Sequence, residues 1–145
     1  MRICFDMDGT IANLYGVDNW LPKLIACDAT PYEEATVLLN MNSLARVLNR
    51  LQRNGYEIGI ISWLAKDGTE EYGERVAEAK RNWLAKHLHS VQFNFIEIVE
   101  YGTDKNIVNT CADDILFDDE ERNRTQWNGQ AFDVNNIIEV LRGLN

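Results

Sequence analysis

The feature that most constrains this chain is an apolar run that ends in two acids one residue apart. The stretch reads Ile3-Cys4-Phe5-Asp6-Met7-Asp8-Gly9-Thr10. If its apolar part is a buried strand, both acids lie at or just beyond the carboxyl end of that strand, where ligands bind in an open α/β sheet. Two carboxylates this close repel each other unless a cation or a proton lies between them. The alternative is a strand followed by an acidic turn.

A second apolar run ends in acids late in the chain. It reads Ile115-Leu116-Phe117-Asp118-Asp119-Glu120-Glu121. The continuing acidic run leaves open a solvated loop. The two runs together favour one acidic site, because a parallel sheet brings the carboxyl ends of its strands to one edge.

The remaining apolar patterns predict strands that alternate with helices. Such alternation is typical of a parallel sheet covered on its faces by helices. Between the strands, the pattern predicts helices from residue 42 or 43 to 53, over 70–87, over 105–110 and over 135–144, with a polar loop over 121–129. The predicted strands are 2–5, 57–61, 95–99, 115–117 and 131–132.

The segment after the first strand is broken by Pro22 and Pro31, and we interpret it as a small helical insert at about residues 13–40. Thr30 is predicted to cap one of its helices, with Pro31 at the first helical position and Glu33 in the capping-box position. Asn42 or Ser43 is expected to cap the longer helix that follows.

Composition limits the classes of partner. A net charge of −9 argues against a nucleic-acid polymer, which requires clustered basic residues. Three well-separated cysteines suit reduced thiols in a cytoplasm. No apolar run is long enough to span a bilayer, so we expect no membrane association. The length of 145 residues predicts one domain with a small insert.

Polar groups follow the predicted strands wherever the carboxyl ends should converge. Strand two ends in Ser62, and Lys105 opens the helix after strand three. Several carboxylates beside one lysine require a hard cation, and an all-oxygen ligand set without Cys or His indicates Mg²⁺. The expected site comprises Asp6, Asp8, Ser62, Lys105, Asp118 and Asp119.

This set of groups suits phosphoryl transfer to a carboxylate. One acid can attack phosphorus, and the other, two residues on, can protonate the leaving oxygen and later activate water. Ser62 and Lys105 would hold the remaining phosphoryl oxygens. Lys80 is the alternative to Lys105 in that role.

These residues resemble the motifs of the haloacid dehalogenase superfamily of phosphohydrolases. The first motif, Asp-x-Asp-Gly-Thr, matches residues 6–10, and the later motifs match Ser62, Lys105 and the acidic pair at 118–119. The resemblance implies that Asp6 is the nucleophile and Asp8 the general acid/base. It also implies Mg²⁺ on Asp6, the backbone carbonyl of Asp8 and Asp118, with Asp119 close by. The implied fold is Rossmann-like, three-layer α/β/α, with strand order 3-2-1-4-5 and a small helical cap insert after strand one.

Within that superfamily the second half resembles the 5′(3′)-deoxyribonucleotidases, through Lys80-Arg81-Asn82-Trp83-Leu84-Ala85-Lys86. The resemblance implies a Mg²⁺-dependent phosphomonoester hydrolase that acts through an aspartyl-phosphate, with (deoxy)nucleoside monophosphates as substrates. A non-catalytic metal- or phosphate-binding module on the same fold is the alternative. Tyr15, Trp20 and Trp63 are interpreted as core residues, with stacking on a substrate base as the alternative.

Overall fold

The seven strands and six helices are assigned from a computed structural model that describes all 145 residues. The strands are β1 (Arg2–Phe5), β2 (Ala12–Asn13), β3 (Thr36–Val37), β4 (Glu57–Trp63), β5 (Phe95–Val99), β6 (Ile115–Phe117) and β7 (Gln130–Phe132). The helices are α1 (Trp20–Ile25), α2 (Thr30–Glu34), α3 (Met41–Arg53), α4 (Glu70–His87), α5 (Glu121–Gln126) and α6 (Ile137–Arg142). Short 3-10 turns cover Leu14–Gly16, Lys105–Val108 and Val134–Asn136.

Five strands form one parallel sheet in the order β5-β4-β1-β6-β7. This arrangement confirms the predicted Rossmann-like order, in which the first strand lies between the second and the fourth strand of the sheet. β2 and β3 pair separately as a short antiparallel ribbon at the two ends of the insert. Because β1 is central and pairs with β4 and β6, its carboxyl end lies where the order of the strands reverses.

The sheet is buried on both faces. Ile3 and Phe5 pack into the larger apolar cluster, which also contains residues of α3, α4 and α6. Cys4 points to the opposite face, where it packs with Val108 and Trp127. Successive residues of one strand thus enter two different cores, which is why β1 is a continuous apolar run rather than an alternating one.

Several local predictions were wrong. Asn40, not Asn42 or Ser43, caps α3 and accepts a hydrogen bond of 2.9 Å from the Ser43 amide, so the N-cap lies two to three residues earlier than expected. Thr30 lies inside α2 and makes no cap hydrogen bond with its side chain; instead its amide donates to Asp28 Oδ1 at 2.9 Å. The polar loop expected at 121–129 contains helix α5.

α5 escaped prediction because tertiary contacts stabilise it. Its sequence has no apolar stripe, yet Arg124 Nη1 donates to the carbonyl of Asp118 at 3.0 Å and Asn123 is buried. Six residues make a helix too short to persist without such contacts. None of the helices combines the length and the apolar character needed to cross a bilayer.

A buried acid ties the start of β1 to the loop before β6. Asp114 accepts hydrogen bonds from the amide of Arg2 at 2.7 Å and from the amide and hydroxyl of Thr110 at 2.6 and 2.7 Å. Burial alone would raise the pKa of Asp114, but these hydrogen bonds outweigh it and lower the pKa to about 2. The contact therefore stabilises the fold whenever the carboxylate is ionised.

Asp114→Asn is expected to lower the free energy of unfolding at neutral pH by about 2 kcal/mol, because an amide NH₂ would face donors. In the native protein this stabilisation is complete above the ordinary carboxyl pKa of about 4 and is lost as the pH falls towards 2. Urea unfolding from pH 7 to pH 2 measures both effects. The exposed neighbour Asp113, changed to Asn, is the control; equal stability of the two variants would contradict the role of Asp114.

Candidate active site

The turn after β1 sets the geometry of the acidic edge. The carbonyl of Met7 accepts hydrogen bonds from the amides of Thr10, Ile11 and Ala12 at 2.9–3.0 Å, which closes a tight turn. Gly9 has a φ of +78°, and a Cβ at this position would collide with the carboxylate of Asp119. Glycine is therefore required here both by the backbone conformation and by the close approach of the second acidic loop.

Lys105 bridges the two acidic loops. Its Nζ donates to Asp6 Oδ1 at 2.9 Å and to Asp118 Oδ2 at 2.6 Å, and all three residues are buried. Burial alone would lower the pKa of Lys105, but the carboxylates of Asp6 and Asp118 outweigh it and raise the pKa. The lysine therefore remains a cation, and two of its three N–H groups are engaged.

Asp118 and Asp119, in the loop after β6, accept different numbers of hydrogen bonds. Asp118 accepts from the Glu120 amide at 2.9 Å and from Asn123 Nδ2 at 3.1 Å, in addition to Lys105. The single O–H of Thr10 lies 3.0 Å from Asp6 Oδ2 and 3.3 Å from Asp119 Oδ1, so the two carboxylates share one donor. Asp118 is thus held by three donors, whereas Asp119 has only Thr10 and a hydrogen bond with Asp6.

These acids repel one another. Burial first, and the charge of Asp6 second, raise the pKa of Asp118 to about 6 and that of Asp119 to about 8. One ligand atom from each of Asp6, Asp118 and Asp119 lies within 4.8 Å of the other two. Such a cluster of carboxylate oxygens could hold a hard metal ion, and the positive charge of the ion would relieve the repulsion that raises the pKa values.

A second buried lysine lies beside the first. Lys80 Nζ donates to Asp8 Oδ2 at 2.9 Å, to Ser62 Oγ at 2.7 Å and to the carbonyl of Trp63 at 2.7 Å. Burial raises the pKa of Asp8, and the ammonium of Lys80 partly opposes that rise. Asp6 and Asp8 therefore have different cationic partners, although they are separated by one residue.

The structure brings Asp6, Asp8, Ser62, Lys105, Asp118 and Asp119 to one edge of the sheet, as the positions of the predicted strands required. Strand β4 is two residues longer than expected, so Ser62 lies inside the strand, paired with Ile98, rather than after it. Lys105 lies in a 3-10 turn, not in an α-helix. The acid cluster suited to a metal ion contains Asp6, Asp118 and Asp119 but not the side chain of Asp8.

Sequence analysis missed the contacts of Thr10 and Asn123, and it gave Lys80 only as an alternative to Lys105. A signal for Lys80 exists: it lies four residues after Val76 and four before Leu84, within the buried stripe of α4. A lysine at such a position is paired with an acid far more often than it is solvated. Asn123 carried no signal, since it lies in a helix that was not predicted.

The acidic edge opens into a cavity of about 310 Å³. Its size is at the lower end of the roughly 300–1,000 Å³ typical of small-molecule sites. Besides the acids and Lys105, its wall is mainly apolar and aromatic. The apolar and aromatic lining comprises Leu14, Tyr15, Trp20, Leu21, Leu24, Ile25, Tyr32, Trp63, Leu64, Ala65 and Tyr101.

Four of the five aromatic residues of the wall form two pairs. Tyr15 and Trp20 meet edge to face with ring centroids 4.9 Å apart, and Trp63 and Tyr101 lie at the same separation. Tyr15 is 48% exposed, and Trp20 and Trp63 are half-buried. The interpretation of Tyr15, Trp20 and Trp63 as core residues was therefore wrong, because each faces the cavity.

Comparison with solved structures identifies the fold. The chain superposes on the crystal structure of D,D-heptose 1,7-bisphosphate phosphatase from Burkholderia thailandensis with a TM-score of 0.50. The alignment covers 86% of this chain and 69% of that chain at 16% sequence identity.

The two proteins share a fold. At 16% sequence identity, this similarity supports a common fold but not a common activity. No protein-family model and no curated protein sequence matches the chain. The evidence for a reaction therefore lies in the residues of the site.

A divalent cation is expected to stabilise the protein through the acid cluster. At a concentration of Mg²⁺ one hundred times its Kd, the gain of about 2.7 kcal/mol corresponds to a rise in Tm of about 5 °C or more. Asp119→Asn should abolish most of this rise, because it removes one ligand and leaves Lys105 paired. Calorimetry with and without Mg²⁺ measures the effect, and the exposed Glu121→Gln is the control. An unchanged Mg²⁺ response in Asp119→Asn would place the ion elsewhere.

Proposed function

We propose that this protein is a Mg²⁺-dependent phosphomonoester hydrolase that acts through an aspartyl-phosphate on Asp6. The observation that carries this proposal is the different environment of the two acids of the first motif. Asp6 accepts hydrogen bonds from Lys105 and Thr10 and belongs to the acid cluster. Asp8 lines the same cavity but accepts its hydrogen bond from a different lysine, Lys80. Two carboxylates in different environments can take different roles in one reaction.

In the first step a carboxylate oxygen of Asp6 attacks phosphorus, and the bond from phosphorus to the leaving oxygen breaks. The proton of the Asp8 carboxyl passes to that oxygen, so the alcohol leaves neutral. The raised pKa of Asp8 supports this role, because burial favours its protonated form. In the second step water attacks the aspartyl-phosphate, Asp8 takes the proton of the water, and inorganic phosphate leaves.

Lys105 and Ser62 are proposed to bind the phosphoryl oxygens. Lys105 has one N–H left after its bonds to Asp6 and Asp118, and it lines the cavity. Ser62 accepts a hydrogen bond from Lys80, so its own O–H is free to donate elsewhere. Donors fixed before the substrate arrives stabilise the charge that develops during phosphoryl transfer.

Asp6, Asp118 and Asp119 would hold the Mg²⁺ ion, with the backbone carbonyl of Asp8 as a further ligand. When bound, the ion neutralises phosphoryl charge and allows a carboxylate to approach phosphorus. The charge of the site suits one such ion. Four carboxylates and two ammonium groups leave two negative charges when all are ionised.

We further propose that the insert at 13–40 acts as a cap and that the leaving group is flat and aromatic, as in a (deoxy)nucleoside monophosphate. Tyr15 and Trp20 of the insert and Trp63 and Tyr101 of the sheet edge present ring faces or edges to the cavity. A sugar phosphate would need hydrogen-bonding partners for several hydroxyls, and this part of the wall is largely apolar. The helix motif containing Lys80 supports the same substrate class by its resemblance to nucleotidases.

Asp6→Asn is expected to abolish phosphate release, because the amide is not a nucleophile, while the protein stays folded. The assay measures phosphate released from a panel of phosphomonoesters with Mg²⁺, including nucleoside and deoxynucleoside monophosphates. Release by the native protein that disappears in this variant would support the mechanism. Near-normal release by Asp6→Asn would overturn the nucleophile. No release by the native protein would favour the metal- or phosphate-binding module instead.

Tyr101→Leu is expected to raise KM for aromatic phosphomonoesters about fivefold, because it removes a stacking face worth about 1 kcal/mol. Tyr101 is 46% exposed, so the change should not affect folding. Glycerol phosphate serves as the matched non-aromatic substrate, and its KM should stay the same. An equal rise in KM for both substrates would contradict an aromatic subsite at this wall.

A further inference from the structure

We propose that Lys80 is a positioning residue that holds Asp8 in the orientation needed to protonate the leaving group and that also fixes the hydroxyl of Ser62. This inference rests on the proposed function. It assigns a role to the second buried lysine of the site, which the phosphoryl-transfer steps above leave without one.

Every N–H of Lys80 is already engaged by an acceptor of the protein. A protonated lysine carries three N–H groups. Lys80 Nζ has three acceptors within 2.9 Å, namely Asp8 Oδ2, Ser62 Oγ and the carbonyl of Trp63. No N–H of Lys80 remains for a substrate. Lys105, in contrast, has two acceptors and lines the cavity.

Lys80 engages one oxygen of Asp8, Oδ2, and no other side chain donates to Asp8. Because two further acceptors on β4 fix the ammonium, it restrains the position of Asp8 Oδ2. The oxygen Oδ1 stays free while Asp8 lines the cavity. The free oxygen is the one available to carry the proton that passes to the leaving group.

The side chain of Ser62 is fully buried, and its Oγ accepts a hydrogen bond of 2.7 Å from Lys80 Nζ. An oxygen that accepts from an ammonium must direct its own O–H away from that nitrogen. One buried cation thus sets the direction of two groups on different strands, Asp8 after β1 and Ser62 on β4.

The position of Lys80 is itself constrained by packing. It is 1% exposed on the inner face of α4, and its Nζ lies 5.2 Å from the centroid of the Tyr32 ring. Tyr32 belongs to the insert. The ammonium is therefore enclosed by the sheet, by α4 and by the insert, so it has little freedom to turn towards a substrate.

The test compares two substrates of similar shape, phenyl phosphate and para-nitrophenyl phosphate. The nitrophenolate is by far the better leaving group, so its departure depends less on a general acid. In Lys80→Met, kcat/KM for phenyl phosphate should fall at least about tenfold more than kcat/KM for para-nitrophenyl phosphate. The ratio kcat/KM reports the step in which the leaving group departs. Lys105→Met should lower kcat/KM for both substrates alike, because it removes a contact with the phosphoryl group.

Lys86→Met is the matched control. Lys86 lies on the same helix and is exposed, so kcat/KM for both substrates should stay within about twofold of the native values. Equal losses for the two substrates in Lys80→Met, or no loss, would overturn the role of Lys80 alone. Absence of phosphate release from the native protein with either substrate would overturn the proposed function and this role with it.

Removing Lys80 leaves the buried Asp8 without a cation, which could prevent folding of the single variant. The double variant Asp8→Asn/Lys80→Met removes both charges and avoids that cost. If Lys80 acts through Asp8, adding Lys80→Met to Asp8→Asn should change kcat/KM for para-nitrophenyl phosphate by no more than about threefold, the change left to Ser62. A further loss as large as in the native background would overturn the inference.

Discussion

The salt bridges from Lys105 to Asp6 and Asp118 are the interaction on which this site depends. They connect the loops after β1 and β6, the two strands between which the site lies. Removing one partner of a buried ion pair typically costs 3–5 kcal/mol, because the other charge is left uncompensated in a low dielectric. The lysine therefore sets both the distance between the loops and the charge that the acid cluster retains.

The rest of the edge follows from this constraint. The negative charge of Asp6, Asp118 and Asp119 exceeds the positive charge near them. Burial and the charge of Asp6 therefore raise the pKa values of Asp118 and Asp119. Binding of a cation or a proton relieves such an excess of negative charge. In the proposed chemistry the cation is Mg²⁺, and the proton is the one that passes to the leaving group. Asp8 is paired with its own lysine, Lys80, although the charge of Asp6 also contributes to its raised pKa.

Much of this arrangement could be predicted from the sequence, because it depends on strand ends. The bounds of β1, β5, β6 and α4 agree with the prediction, since each run is apolar or amphipathic and ends at a polar signal. β4 continues through Ser62 and Trp63 because both pair with β5, a tertiary contact that hydropathy does not record. α5 was missed for the same reason, since contacts with Asp118 hold it. Tyr15, Trp20 and Trp63 were interpreted as core residues because the hydropathy pattern of an aromatic residue is the same in a core and at the wall of a cavity.

The insert contributes to the cavity, and its contact with the ionic network is made by the Tyr32 ring, which lies 5.2 Å from Lys80 Nζ. Residues 13–40 line the apolar part of the wall, yet none of them makes a hydrogen bond or salt bridge to the buried acids or to either buried lysine. The insert thus supplies apolar wall to the cavity but none of the buried charges. Substitutions in the insert can alter which molecules fit while the charges stay where they are.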